Sequence, residues 1–539
     1  MKTLNYILYC SILLAGTACT DFDELNSDPN KSTDMDPNLQ IATVQMRQSE
    51  DHQEWHRYLI YPGGFMAQWA GEWATVDYGG KAKRNAAYME YMWIMYYPYI
   101  IRDVVDVVER TKGNPKYVNV NAVGRILKVE NFLRLTDYYG DIPYSNAGMG
   151  YYSGDFNAKY DPQEQIYNDF FNELTTAAAA LTVGGDPLSH DLYYNGDIEK
   201  WRRFANSLHL RIAMRLIKVN PAKAREEAEK AIARGVLNSN SDICYVKHED
   251  HQNPGDGKGA GNGLTTRLSN QGAAATNAFR LTTELVTAME DRKDPRILYY
   301  GGMYLNTGAA PDILQPVRDT LAKLLEVTTC PLSYITTPAQ YFSYDNLDGR
   351  PEIKIELGGQ QVSVPHSYQR LQPNKMIQKF DAPFIHMTYA EVEFLLAEAA
   401  QRGWNAGGET AEEHFVKGLE AAVRQWSLFG VTNFNNTAIA DFVNYNKANF
   451  AGNELVEINT QLWILHFMDP LETWSNWRRT GIPDLNFVVF PDNTSGGQIP
   501  RRIEYPKDEQ MKNPTFYNEA LDRMGGTDSW TNRVWWDVP

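Results

Sequence analysis

Residues 388–426 read TYAEVEFLLAEAAQRGWNAGGETAEEHFVKGLEAAVRQW. Thr388 with Glu391 three positions on is a capping box, the signature of a helix N-terminus. Val392, Leu395, Leu396 and Ala399 then recur at helical spacing, so one face of this helix is apolar and must be covered. Gly403 to Gly408 predicts a turn. Thr410 and Glu413 repeat the box, and Phe415, Leu419, Val423 and Trp426 form a second apolar stripe. Two amphipathic helices joined by so short a link pack antiparallel. The unit is a helical hairpin.

The same pattern extends in both directions. Downstream, helices are predicted over about Thr437–Lys447 and Asn453–Phe467, a second pair. Upstream, residues 37–236 read as helix after helix. Predicted segments are Pro37 to about Ala70, Tyr88–Arg110, Asn119–Tyr138, a helix capped by Asp161 with Pro162 in its first turn, Glu199–Val219 and Pro221–Arg234. About four hairpins result, the repeat unit of a tetratricopeptide-like stack, although the 34-residue period of that repeat is not kept. The expected fold is mainly α, with one irregular insert at 237–385. There a Gly-rich loop (Asn253 to Gly263), prolines and short alternating stretches such as Ile353-Lys354-Ile355-Glu356-Leu357 replace helical periodicity. Helical hairpins resume over 386–470. Residues 471–539, rich in Pro, Gly and Trp, are expected to pack back on the helices.

At the other end, Lys2 precedes a mostly apolar run from Leu4 to Gly16, followed by Gly16, Thr17, Ala18 and then Cys19. That order predicts a signal peptide over 1–18. The run is too short to span a bilayer, which takes about 20 residues. A cysteine directly after small residues resembles a bacterial lipobox, which implies acylation of Cys19. Each buried methylene contributes about 0.8 kcal/mol, and two chains suffice for stable anchoring. Residues 19–36 then read as a flexible, lipidated tether.

The totals exclude several functions. With 51 Lys+Arg against 67 Asp+Glu the net charge is −16, which repels phosphate backbones and argues against a nucleic-acid partner. Of four cysteines, Cys10 leaves with the signal, and Cys244 and Cys330 could form a disulfide in an exported protein, but sequence cannot place them within bonding distance. No cofactor motif is present. Asn253 to Gly259 lacks the order of a phosphate-binding loop. His248-Glu249-Asp250-His251 lacks zinc spacing, and Asp345 to Gly349 lacks calcium-loop alternation. Glu391 and Glu398, seven positions apart on one helix face, are separated by about 10.5 Å along the axis, beyond a glycosidase pair. They are expected to be buried and paired with Arg478, Arg479, Arg501 or Arg502.

DYYGDIPY (137–144), TYAEVEFLLAEA (388–399), WSNWRRTGIP (474–483), IPRRIEYP (499–506) and RVWWD (533–537), with Asp28-Pro29-Asn30 and the lipobox, occur together and in this order. The chain thereby resembles the SusD/RagB family of nutrient-binding outer-membrane lipoproteins. The resemblance implies a tetratricopeptide-type scaffold with an irregular ligand-binding region, seated on a SusC-like TonB-dependent barrel. It implies capture of an oligosaccharide or, in some relatives, a peptide, and no catalysis.

Aromatic residues in polar loops are the remaining chemical signal. Sugar rings present C–H faces to aromatic planes while their hydroxyls seek polar side chains. Trp73, Tyr78 and Arg84 fall in one such loop, and Tyr341, Tyr344 and Asn346 in another, inside the insert. These six are the candidate ligand-binding residues, and packing of the loops onto the helices is the equal alternative for any one of them. The sequence thus reads as a lipid-anchored outer-membrane protein, facing the exterior, that binds a glycan (or peptide) and delivers it to the barrel. A surface glycosidase with paired carboxylates and a protein-only scaffold are the rivals.

Overall fold

The computed structural model describes residues 35–50, 54, 56–70, 75–250, 261–269, 279–302, 353–357, 360–364, 372–485 and 489–539. Helix α1 (Pro37–Arg47) is capped by Asp36, whose carboxylate accepts from the Asn38 amide. The single helix expected to Ala70 is instead interrupted. A wide turn (His56–Ile60) leads into short α2 (Tyr61–Phe65) and strand β1 (Trp69–Ala70). Next come α3 (Ala86–Met95) and α4 (Arg102–Thr111), joined through a π-helical segment, Tyr96–Ile101. Pro98 lies in that segment and has no N–H to give, so the ladder widens there without ending.

Helix α5 (Val118–Tyr139) runs through the core and matches its predicted span to one residue at either end. Strand β2 (Ile142–Pro143), short α6 (Gly150–Ser153) and β3 (Tyr160–Asp161) lead to α7 (Gln163–Ala180). The expected Asp161 cap is not what holds the α7 N-terminus. Asp161 accepts from Ser145 N across the β2–β3 pair, and Asp141 accepts from Gln163 N at 2.8 Å. Helices α8 (Ile198–Arg215) and α9 (Pro221–Ala233) form the predicted hairpin, with Asn220 capping α9.

In the insert, β4 (Cys244–Val246), α10 (Gly263–Ser269), β5 (Arg280–Leu281), α11 (Thr283–Asp291), α12 (Ile297–Tyr300), β6 (Gly301–Gly302), β7 (Ile353–Leu357), β8 (Gln360–Val364), β9 (Gln372–Pro373) and β10 (Phe384–Met387) follow one another. Among the described residues the strands associate as antiparallel pairs: β1–β5, β2–β3, β4–β10, β6–β9 and β7–β8. The last is the alternating stretch at 353 turned into a hairpin. Cys244 is buried and free, and Cys330 lies outside the described residues.

Helices α13 (Tyr389–Gln401) and α14 (Ala411–Arg424) are the hairpin read first. The Thr410–Glu413 box closes in both directions. The first box closes only halfway: Thr388 accepts from Glu391 N, while the Glu391 carboxylate is drawn inward to Arg211. Helices α15 (Asn436–Ala448), α16 (Glu454–Leu465) and α17 (Pro470–Thr480) complete the stack, and α18 (Lys507–Lys512) and α19 (Pro514–Arg523) lie in the tail. The tail meets the helices at several backbone and side-chain hydrogen bonds. Ile503 N donates to Tyr138 O (2.8 Å), Tyr505 Oη to Asp141 O (2.6 Å), and Trp536 Nε1 to Asp137 Oδ1 (3.0 Å). The motif 137–144 is therefore the floor on which the C-terminus rests. One continuous apolar core runs through all these layers.

Candidate functional site

The two carboxylates of α13 face inward. Glu391 receives both Nε (2.6 Å) and Nη2 (2.7 Å) of Arg211 from α8. Glu398 receives Nη1 (2.8 Å) and Nη2 (2.7 Å) of Arg479 from α17, and Arg402 adds two more bonds through Nε (3.0 Å) and Nη2 (2.8 Å). Burial alone would raise the Glu398 carboxyl, but Arg479 outweighs it and holds it down to about 2. Glu391 is lowered for the same reason, by Arg211 against burial. Arg479 is among the partners the sequence suggested; Arg211 is not. Its helix lies 180 positions upstream, and no local signal links the two. Arg478 instead stacks on Trp474 (3.8 Å) and Trp536 (4.8 Å), and Arg502 pairs with Asp528. Carboxylates so clamped tie helices together.

A second charged cluster joins α13 to α14. His414 Nδ1 lies 2.7 Å from Glu393 and 3.6 Å from Glu409, its Nε2 meets Ala406 O at 3.1 Å, and Lys417 sits on Glu409. Both acids already have partners in His414 and Lys417, so this cluster locks the hairpin turn. His248, from the motif without zinc spacing, is buried against Ser49 Oγ at 2.9 Å.

The candidate loops meet the scaffold at one place. Loop 71–84 leaves from β1, which pairs with β5 (Trp69 opposite Leu281, Ala70 opposite Arg280). The long segment after 302 leaves from β6 and returns through β9 (Gly301 opposite Pro373). Strand β5 packs on β9. Residues 70, 302 and 372 thus sit around a single cluster of short strands, so both aromatic loops spring from neighbouring roots.

The first loop is pinned by two glycines. A Cβ on Gly79 would lie 1.7 Å from Ile60 O, and one on Gly64 would lie 2.7 Å from Gly79 Cα. Only bare backbone allows the turn at Thr75–Gly80 to lie flat on α2. Tyr78 is half-buried there, its ring edge-on to Tyr88 at 5.3 Å, and Tyr88 is 4.8 Å from His56. Arg84 is turned toward the tail: Nε and Nη2 reach Glu504 Oε1 (both 2.8 Å), Nη1 reaches Thr494 O (2.6 Å), and the guanidinium covers Trp530 at 4.9 Å. Its place in the fold is that of a staple between loop and tail. Trp73, Tyr341, Tyr344, Asn346 and Cys19 lie outside the described residues.

Beside β1 opens a groove of about 590 Å³ between α11, α16 and residues 481–485. Its walls include Val456, Trp463, Pro483 and Leu485, with Glu284 and Arg292 as charged members. Trp463 fixes the groove to the root of the first loop by donating to Met66 O at 2.8 Å, while Gln68 Nε2 donates back to Trp463 O at 2.5 Å. Arg292 is held by Glu457 through two 2.9 Å bonds. Glu284 is different. Neither carboxyl oxygen has a partner on another residue among those described, and burial pushes the group up to about 7. Sequence reading passed over Glu284 because a glutamate in the first turn of a helix is ordinarily a solvated dipole partner.

This is a helical-hairpin scaffold whose inner acids are paired with arginines and whose short strands β1, β5, β6 and β9 stand side by side. Residues 29–311 and 344–506 match the SusD-like family model described as starch-binding and associating with the outer membrane. A solved chitin-binding protein is 34% identical over 94% of this chain and 100% of its own, with a TM-score of 0.77. A SusD-like protein from Bacteroidetes is 29% identical over 94% and 100%, at 0.83. A chitin-binding SusD homologue from Flavobacterium johnsoniae is 26% identical over 93% and 98%, at 0.68. No curated protein matches. The chain belongs to the SusD-like family.

Proposed function

We propose that this protein is a surface lipoprotein, anchored through Cys19 in the outer membrane, that captures a chitin-type oligosaccharide and delivers it to a SusC-like TonB-dependent barrel. The observation that carries the ligand side is the shared root of the two aromatic loops at β1, β5, β6 and β9. Rings of Trp73, Tyr78, Tyr341 and Tyr344 then offer stacking faces to one sugar chain, Asn346 takes hydroxyls, and Arg84 holds the loop. A polymer of N-acetylglucosamine is the chosen class because two solved relatives are chitin-binding. A lid must release what it captures, so affinity is expected between micromolar and millimolar, about −8 to −4 kcal/mol.

Calorimetry with chitohexaose, with maltohexaose alongside, tests the ligand. Trp73→Ala is expected to weaken binding at least about fivefold, roughly 1 kcal/mol, with melting unchanged. Undiminished affinity in variants of all four aromatics would move the site elsewhere; no binding of any glycan would remove the glycan reading. For the anchor, Cys19→Ala should leave the membrane fraction in cells lacking the barrel.

A further inference from the structure

Loop 144–159 joins the paired strands β2 and β3, and residues 151–157 at its tip are all exposed. Tyr151 is 89% exposed and Phe156 83%, more than any other aromatic ring among the described residues. Local contacts orient the rings. Gly154 turns the chain at φ 72°, and the Phe156 ring lies so close over Gly150 that a Cβ there would come within 2.7 Å of it. Tyr152 donates to Asp106 Oδ1 at 2.6 Å, and Tyr151 stands edge-on to Tyr152 at 5.3 Å. A surface that holds aromatic rings out in water is built to be covered.

The same acid ties this tip to the start of the described chain. Asp106 Oδ2 accepts from Gln40 Nε2 at 2.8 Å. Arg110, 3.6 Å from Asp106, also donates to Gln40 (3.1 Å) and to Met35 O (2.8 Å). Met35 and Leu39, at 42% and 45%, are exposed here as well. An apolar band of Met35, Leu39, Tyr151, Tyr152 and Phe156 therefore lies where the chain departs toward Cys19. Those intervening residues reach at most about 55 Å when fully extended.

We propose that this band is a membrane-contact surface. Tyr151 and Phe156, flanked by Leu39 and Met35, enter the headgroup region of the leaflet that holds the Cys19 acyl chains. Aromatic rings with aliphatic neighbours are the side chains that favour this zone. The acyl chains supply the anchorage, and the band sets which face of the protein meets the bilayer. The proposal rests on the acylated reading of Cys19. A lipid surface is favoured over a protein partner because the band is continuous with the exit of the tether.

The test is hydrogen exchange on the full acylated chain, in detergent and in vesicles of phosphatidylethanolamine and phosphatidylglycerol (3:1). Exchange at 150–157 should slow at least fivefold in vesicles, and Tyr151→Ser/Phe156→Ser should abolish the slowing. Both side chains are exposed, so the double variant should keep its melting temperature. An acylated chain with unchanged exchange in vesicles overturns the proposal while leaving the anchor intact. Protection that appears only on adding the barrel overturns it in favour of a protein contact. Absence of acyl mass on residue 19 removes the anchor and the proposal together.

Discussion

Arg479 on α17 and Glu398 on α13 form a two-bond ion pair at 2.8 and 2.7 Å with neither side chain exposed. The pair joins helices 81 positions apart in sequence. Removing one member of a buried pair leaves the other charged and unsolvated, which typically costs about 3–5 kcal/mol. Glu398→Gln is therefore expected to lower stability by about that amount in denaturant titration. An unchanged midpoint together with a lost hydrolytic activity would restore the glycosidase reading.

The same pair gives the protein an acid-sensitive arm. The Glu398 carboxyl is held at about 2 against an ordinary 4.5. Its contribution is fully present above the unfolded value and is lost as pH falls from about 4.5 toward 2. At about 1.4 kcal/mol per unit this amounts to about 3.5 kcal/mol. Glu391, lowered beside Arg211, adds in the same direction. Melting followed from pH 6 to 3 should decline steeply in the wild type and less steeply in Glu398→Gln.

Glu284 works with the opposite sign. Its folded value of about 7 lies above the ordinary 4.5, so the unfolded chain releases its proton first. Stability falls as pH rises from about 4.5 to 7, by at most about 3.5 kcal/mol. Glu284→Gln keeps the shape without the charge, and is expected to melt higher than the wild type at pH 8 and equally at pH 4. Equal melting at both pH values would mean that the carboxyl has a partner in the folded protein.

Gly79 tests how loop 71–84 is held. A Cβ at that position meets Ile60 O at 1.7 Å, backbone that has no room to yield. Gly79→Ala should displace the turn, lower stability by about 1–3 kcal/mol in the manner of an overpacked site, and weaken chitohexaose binding more than Tyr78→Ala does. Intact affinity in Gly79→Ala would separate this loop from the ligand.

The helical hairpins follow from local signals in the chain. Caps such as Thr410 with Glu413 and Asn220, and stripes such as Phe415, Leu419 and Val423, are local signals acting within a few turns, and they appear where expected. The sequence also indicated that the acids of α13 are structural, since a charge on an apolar helix face needs a partner. Tertiary structure alone decided which partner. Glu391 pairs with Arg211 because α8 crosses α13 there, and Asp141 rather than Asp161 caps α7 because the β2–β3 pair claims Asp161. The closeness of the two loops' roots was likewise decided by the tertiary structure. It depends on strands of two residues, too short to show any period, whose pairing across more than two hundred positions is set by the helices that carry them. Arg84 looked free in a polar loop, and only the folded tail brings Glu504 and Trp530 against it.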